Sequence, residues 1–490
     1  MAYRCAVLPS VRKKKLAMTA PSASVAAHTS SRRATLELFV VGLGALVVAL
    51  AQTVLIPVLS ILPADLDTSA SNVNWLLTST LLVAAVSVPI LGRLGDMFGK
   101  RRMLLVALGA LIVGSLITSF SDHIGVLIVG RAIQGASAAA IPLGISLLAT
   151  VMPRERVGSS IALISAMLGV GGSLGLPLAG FVAEHADFHV LFWITSAAGI
   201  VAFLGILLIV PEAPGRSGGR VDLVGAALLA AGLVCLLLPL AQSSSWGWDD
   251  VRVWGLLAAA AGLIAVFGWS QTRIDDPLVD LRALRRPPIV LTNAASILFG
   301  FALFASFIGT ASYVEAPESS GYGFGSSLLV GGLAMLPGGL MMLLFAPVAA
   351  RLIGTRGAPQ TLALGALVVA VGFAARIFVH ESLWQVIVGS TIVGVGTGIG
   401  YAAMPSLINT HTPPDETGAA NGLNTLFRSL GSSLASAIGG SILAGSTVIV
   451  GTFAVPSLDA YRLIFALCGA AAVLAAALVM LIPHRPAAAA

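Results

Sequence analysis

The sequence predicts an all-α polytopic membrane protein, and three observations carry that prediction. Of its 490 residues, 57% are hydrophobic and only 10% charged, whereas an ordinary soluble chain carries about 25% charged residues. A soluble fold of this length would need more polar surface than the chain possesses. From Leu36 onward, apolar runs of spanning length alternate with short polar breaks. Basic residues concentrate in every second break, as expected where loops alternate between the two faces of a membrane. Large soluble enzymes, disordered chains and nucleic-acid binders are thereby excluded. The net charge of +6 belongs to a membrane face, not to a nucleic-acid partner.

Residues 1–35 are polar, with basic residues at Arg12–Lys15, Arg32 and Arg33, and read as a flexible cytoplasmic tail in which Met18 could be the true start. A helix crossing the ~30 Å hydrocarbon layer needs about 20 apolar residues. Fourteen runs meet this: 36–58, 73–91, 103–120, 125–149, 158–181, 190–210, 222–241, 252–270, 289–311, 326–347, 360–379, 385–407, 418–443 and 461–482. They are continuous and rich in Ala, Leu, Gly and Val, unlike the short alternating segments of a barrel. With the N-terminus inside, 22 of the 27 Lys and Arg fall on the cytoplasmic side, leaving Arg252 and Arg462 at outer helix ends and Arg131, Arg376 and Arg428 within spans. Both termini are therefore expected in the cytoplasm. The three cysteines (Cys5, Cys235, Cys468) lie far apart without metal-ligand spacing, and no metal site or cofactor is expected.

The chain also repeats itself. Gly135 to Pro142 in span 4 resembles Gly398 to Pro405 in span 12, with the same spacing, and each is followed by a Pro/charge loop and a small-residue helix. Two related bundles facing each other across a cavity is a transporter arrangement. The expected organisation is a tail over 1–35, a six-helix bundle over 36–210, two additional helices with linkers over 211–288, a second six-helix bundle over 289–482 and a tail over 483–490.

Three segments carry chemistry. Between spans 2 and 3 stand Gly92-Arg93-Leu94-Gly95-Asp96-Met97-Phe98-Gly99-Lys100-Arg101-Arg102. The glycines allow a tight turn, Asp96 can cap a helix or pair with an arginine, and the basic triplet suits anionic headgroups. In span 4, Arg131, Gln134 and Gly135 sit among apolar neighbours, so Arg131 faces protein, faces a watery cavity or snorkels to the interface. In span 5, Gly171 and Gly175 form a small-xxx-small pair near Pro177 and Gly180, which permits close helix contact and a bend.

These segments resemble motifs A, B and C of the major facilitator superfamily, and fourteen spans resemble its drug:proton antiporter family. The resemblance covers almost everything after residue 35. It implies the major facilitator fold, a gating loop at Gly92, Arg93, Gly95, Asp96, Gly99, Lys100 and Arg101, proton coupling through Arg131, Gln134 and Gly135, and an antiport helix at Gly171, Gly175, Pro177 and Gly180. Met97 departs from motif A, where a second basic residue is usual. A further departure lies in span 1, where Leu50-Ala51-Gln52-Thr53 replaces an aspartate-bearing stretch. No carboxylate falls inside any span on this reading, so the cavity suits neutral or amphipathic compounds. Gln52, Trp75, Asn293, Phe304, Tyr401, Asn424 and Arg428 are candidate substrate contacts, with Glu315 a further candidate; Glu315 and Glu318 are the acidic residues nearest a possible outward cavity.

The expected function is proton-driven export of small, largely apolar organic compounds by a monomer in the cell membrane, its partners being the substrate, protons and the bilayer. Uptake or exchange of a metabolite is the alternative. A membrane enzyme would need nucleophiles, metal ligands or paired carboxylates at membrane depth, and the seven histidines all lie outside the expected spans; no catalytic residue is assigned.

Overall fold

A computed structural model describes residues 31–482 except 215, 216, 219, 380, 451 and 452. The terminal segments expected over 1–30 and 483–490, with Met18 and Cys5, lie outside the described residues. Fourteen long helices cross back and forth: span 1 Ser31–Thr53, span 2 Ala70–Phe98, span 3 Lys100–Ser119, span 4 Ile124–Gly135 continuing through a 3-10 turn into Ala140–Val151, span 5 Arg154–His185, span 6 His189–Ile209 and span 7 Leu223–Trp246. They continue as span 8 Val251–Gln271, span 9 Pro287–Glu315, span 10 Leu328–Arg356, span 11 Ala358–Phe378, span 12 Leu383–His411, span 13 Thr417–Gly445 and span 14 Leu458–Met480. Residues 31–35, expected in the tail, form the first turn of span 1.

Thirteen of the described helices are long and apolar enough to cross a membrane. Span 13 is the exception, with Asn421, Asn424 and Arg428 along a 29-residue helix. It tolerates them because Asn421 and Asn424 are buried where it packs against spans 2 and 9. Elsewhere, large apolar side chains stand exposed on outer helix faces, such as Leu208, Val251 and Phe378, where lipid would cover them.

The helix ends are fixed locally. Ser69, Asp222, Ser327 and Ser457 accept from backbone N–H groups in the first turns of spans 2, 7, 10 and 14, satisfying donors that have no intrahelical partner. Ser382 and Gln385 form a capping box on span 12. Spans 2 and 3 are joined through Gly99 (φ +119°), and spans 10 and 11 through Gly357 (φ +87°). Such dihedrals favour glycine, and the two single-residue turns occupy matching places in the two bundles. A short antiparallel hairpin, Thr447–Val450 with Phe453–Pro456, connects spans 13 and 14; the sequence reading had only a loop there.

Spans 1–6 pack around Val48, Leu108, Leu143 and Leu148, with Leu55, Leu76 and Phe192 at the opposite end. Spans 9–14 pack around Phe299, Leu362, Phe373 and Phe465. Spans 7 and 8 lie on one flank. Leu229, Leu233 and Leu237 of span 7 fill the groove between Leu82 and Ala85 of span 2 and Leu423 and Leu426 of span 13.

Candidate functional site

The span 2–3 segment is not a loop. Span 2 stays helical through Gly92, Arg93, Gly95 and Asp96 to Phe98, and Lys100 opens span 3. A Cβ on Gly92 would lie 2.7 Å from Gly418 O, and one on Gly95 would lie 2.5 Å from a Leu143 methyl, so both glycines allow close helix contact. Asp96, 2% exposed, accepts from Gly418 N at 3.0 Å and Ala419 N at 2.8 Å. One carboxylate of the first bundle thus caps span 13 of the second, where unpaired N–H groups and the helix dipole favour negative charge. Lys100 Nζ lies 3.5 Å from Asp96 and donates to Thr417 Oγ1 at 2.8 Å and Pro414 O at 3.0 Å. Ser146 Oγ of span 4 meets the same threonine at 2.7 Å.

The basic triplet differs from expectation. Lys100 is buried within this contact, and Arg101 donates to the final carbonyls of span 6, Ile206 O and Leu207 O; of the three, Arg102 is the exposed one. Both inner residues are held by oxygen acceptors of the protein itself. Glu212, which the sequence reading passed over, accepts from Arg101 N at 2.9 Å and Arg102 N at 3.3 Å, capping span 3. Glu416, just before span 13, is pushed above the usual carboxylate range by burial and then by Asp280 and Asp415, against the pull of Arg93 and Arg286. We call this cluster the latch.

Span 5 is a seam. Cβ atoms on Gly171 and Gly175 would meet Leu46 O and Thr53 Oγ1 of span 1 at 2.3 and 2.2 Å, so the small-xxx-small pair brings these helices into contact. Thr53 Oγ1 also donates to Gly172 O at 2.8 Å. Pro177 and Gly180 face the other bundle: Gly332 of span 10 approaches Pro177, and Gly180 approaches Leu329.

Arg131 is 1% exposed, which rules out snorkelling. It donates to Ala51 O of span 1 at 3.1 Å, Leu76 O of span 2 at 3.4 Å and Gln134 Oε1. Gln134 Nε2 continues to Ser115 Oγ of span 3 at 2.6 Å, and Thr195 of span 6 reaches the same hydroxyl. Gly135 lets span 4 touch span 2, its Cβ position lying 2.4 Å from Thr80 O. One Arg131 nitrogen, Nη2, is buried with no hydrogen-bond partner.

These residues reach a cavity of about 150 Å³ shared by the two bundles, roughly ten times what one water needs. Gln52, Arg131, Gln134 and Gly135 line it from the first bundle, and Phe304, Tyr401 and Arg428 from the second. Arg428 lies over the Tyr401 ring, 4.8 Å from its centroid. The structure therefore merges two groups that the sequence reading had kept apart, the coupling residues and four of the substrate candidates.

The other four candidates lie elsewhere. Asn424 Nδ2 donates to Asn293 Oδ1 at 2.9 Å and Ser296 Oγ at 2.7 Å, so these amides satisfy each other between spans 9 and 13. Trp75 is half-buried near the start of span 2, outside the lining. Glu315 ends span 9 against Gly331 of span 10, away from the cavity. Lining residues the sequence reading missed include Thr80, Ser137, Phe307 and Ser432; hydroxyls and apolar rings of this kind occur throughout the spans and carry no distinguishing pattern. Among the described residues no cluster of His, Cys, Asp and Glu could hold a metal ion.

A sequence model described as Major Facilitator Superfamily matches residues 41–436 and 324–490. The "Tetracenomycin C resistance and export protein" of Streptomyces glaucescens is 29% identical over 416 residues, covering 83% of this chain and 75% of that protein. The "Puromycin resistance protein pur8" of Streptomyces alboniger is 28% identical, covering 82% and 80%. Among solved structures, the human organic anion transporter MFSD10 superposes with a TM-score of 0.63 at 16% identity, over 91% of this chain and 99% of that one; the likeness is one of fold.

Proposed function

The chain belongs to the Major Facilitator Superfamily and is a multi-pass membrane transporter, and on that premise we propose that it exports small, largely apolar organic compounds, driven by inward proton flow. The observation that carries this is the cavity. It is walled by both bundles, and spans 2 and 13 of those bundles are also joined by the latch, whose backbone caps water can replace. Breaking those caps would open the latch end, while the glycine contacts of spans 5 and 10 would allow the bundles to rock. The relatives' printed names, an export protein and a resistance protein, support the outward direction.

The latch end carries Arg93, Arg102, Arg154, Arg156 and Arg351 and would face the cytoplasm of a cell whose plasma membrane holds the protein as a monomer. Arg131 is the proposed coupling residue. It ties spans 1, 2 and 4 at the cavity wall, so a proton-bearing water or substrate that takes over one of its carbonyl bonds loosens three helices together. Asp96 holds the latch closed until that happens.

The test is dye efflux in a host stripped of its own pumps. Expression should keep accumulation low until an uncoupler collapses the gradient, whereupon dye enters. Accumulation raised by the protein and lowered by the uncoupler would mean uptake. In proton-loaded vesicles, Arg131→Ala should abolish gradient-dependent transport; full retention would remove Arg131 from the coupling role.

A further inference from the structure

Two arginines reach the central cavity, and none of the described residues lining it is acidic. An intramembrane charge is costly unless paired, and where the protein leaves it unpaired it marks a functional site. Arg131 spends two of its nitrogens on carbonyls and Gln134 but leaves Nη2 buried and without a partner. The Arg428 guanidinium makes no hydrogen bond and has no carboxylate beside it among the described residues; it rests on the Tyr401 ring, and Gly300 packs against the Arg428 backbone and Cγ. Such stacking fixes the plane of the guanidinium and leaves its donor edge free. Arg376, the other arginine deep in a span, donates to Ser306 and Thr310 at 3.0 and 2.6 Å and lies against the Phe465 ring at 3.8 Å; its Nε is also buried without a partner, but it lies off the cavity lining. Of the three, Arg428 is the one whose guanidinium makes no hydrogen bond among the described residues, and it stands at the cavity.

We propose that the transported compounds are organic anions: an aromatic or aliphatic body carrying a carboxylate or an ionised phenol, whose oxygen docks on Arg428 while the body lies against Phe304 and Phe307. The inference rests on the transport reading above and narrows its substrate class. The apolar walls select an organic body over a bare inorganic anion, because burying the hydrophobic part supplies affinity that chloride or phosphate cannot gain. A cationic drug would meet two like charges with no compensating carboxylate.

Purified protein in detergent tests this with three fluorescent xanthene probes of matched size: a carboxylate dye, its neutral methyl ester and a cationic amine analogue. Anisotropy titration should give the carboxylate an affinity at least about tenfold above that of the ester, the factor that one charge-assisted hydrogen bond supplies, with the cation weakest. In Arg428→Gln the carboxylate-to-ester ratio should fall below about twofold, while Arg428→Lys, which keeps the charge, should retain more of it. Thermal unfolding of each variant separates a lost ligand from a lost fold. Equal binding of the three probes, or a preference untouched by Arg428→Gln in folded protein, overturns the proposal. Displacement of the carboxylate dye by millimolar phosphate alone overturns the organic part of it. The same dyes in proteoliposomes keep the two readings distinguishable: ester efflux without charge preference leaves export standing and removes the anion, whereas Arg428-dependent anion binding without any transport does the reverse.

Discussion

The two contacts that join the bundles differ in what dominates them. At the latch, spans 2, 3 and 4 meet span 13 through a carboxylate on two backbone N–H groups, a buried lysine and a pair of hydroxyls. Along spans 5 and 10 the contact is made largely of small residues: a Cβ on Gly332 would lie 2.5 Å from Pro177 N, and one on Gly180 would lie 2.6 Å from Leu329 N. Hydrogen bonds to backbone can be exchanged for bonds to water at small net cost. Glycine contacts make no such exchange but permit helices to tilt while remaining in touch. On the transport reading proposed above, the contrast implies a division of labour, with one contact made to break and the other to pivot.

The largest effect should come from filling the pivot. Gly332→Leu drives a side chain into backbone that cannot yield, and overpacking of this kind costs about 1–3 kcal/mol or more. We expect a clear fall in thermal unfolding temperature together with loss of transport; an unchanged melting temperature would show that the two helices part freely. Asp96→Ala removes the caps on span 13, a loss of about 0.5–2 kcal/mol. It should abolish transport while lowering the melting temperature less than Gly332→Leu does. A smaller effect is expected from Glu212→Gln, which keeps an acceptor oxygen but loses the charge at the start of span 3, worth about 0.3–1 kcal/mol.

The smallest effect concerns pH. Glu416 titrates above its ordinary range in the folded protein, so folding favours its neutral form. Stability contributed at low pH is therefore lost as pH rises from the ordinary glutamate range through the raised value. A melting-temperature series from pH 4 to 8 should show Glu416→Gln flattening that decline; parallel curves for variant and parent would mean that folding, through burial and the neighbours Asp280 and Asp415, does not raise its titration.

Much of the fold was legible because continuous apolar runs and the sorting of Lys and Arg are both direct consequences of the bilayer. The helix ends were less so. Arg93 and Asp96 read as loop residues because they are polar, yet they lie in span 2 where it leaves lipid and meets span 13. Glu212 follows an apolar span and looks like any loop acid; only the close approach of span 3 gives it a role. In the cavity, Gln52, Arg131, Phe304, Tyr401 and Arg428 stood out as polar or aromatic residues within spans. Asn293 and Asn424 stood out for the same reason and failed, because two amides on facing helices can satisfy each other. Which side chain meets which depends on helix rotation, and a sequence of nearly uniform hydrophobicity does not record it.

The most direct measurement of the division of labour is the reach of a membrane-impermeant thiol reagent to the cavity wall. In a chain with Cys5, Cys235 and Cys468 replaced, a single Ser137→Cys would place the thiol in the lining. With the latch intact, we expect reagent applied at the face bearing Asp96 to label it slowly, and Asp96→Ala to raise that rate by about tenfold or more, as the loss of roughly 1.4 kcal/mol from a closed state would do. Labelling from that face at the same rate with and without Asp96, in folded protein, would contradict the latch and the alternating cavity it is taken to close.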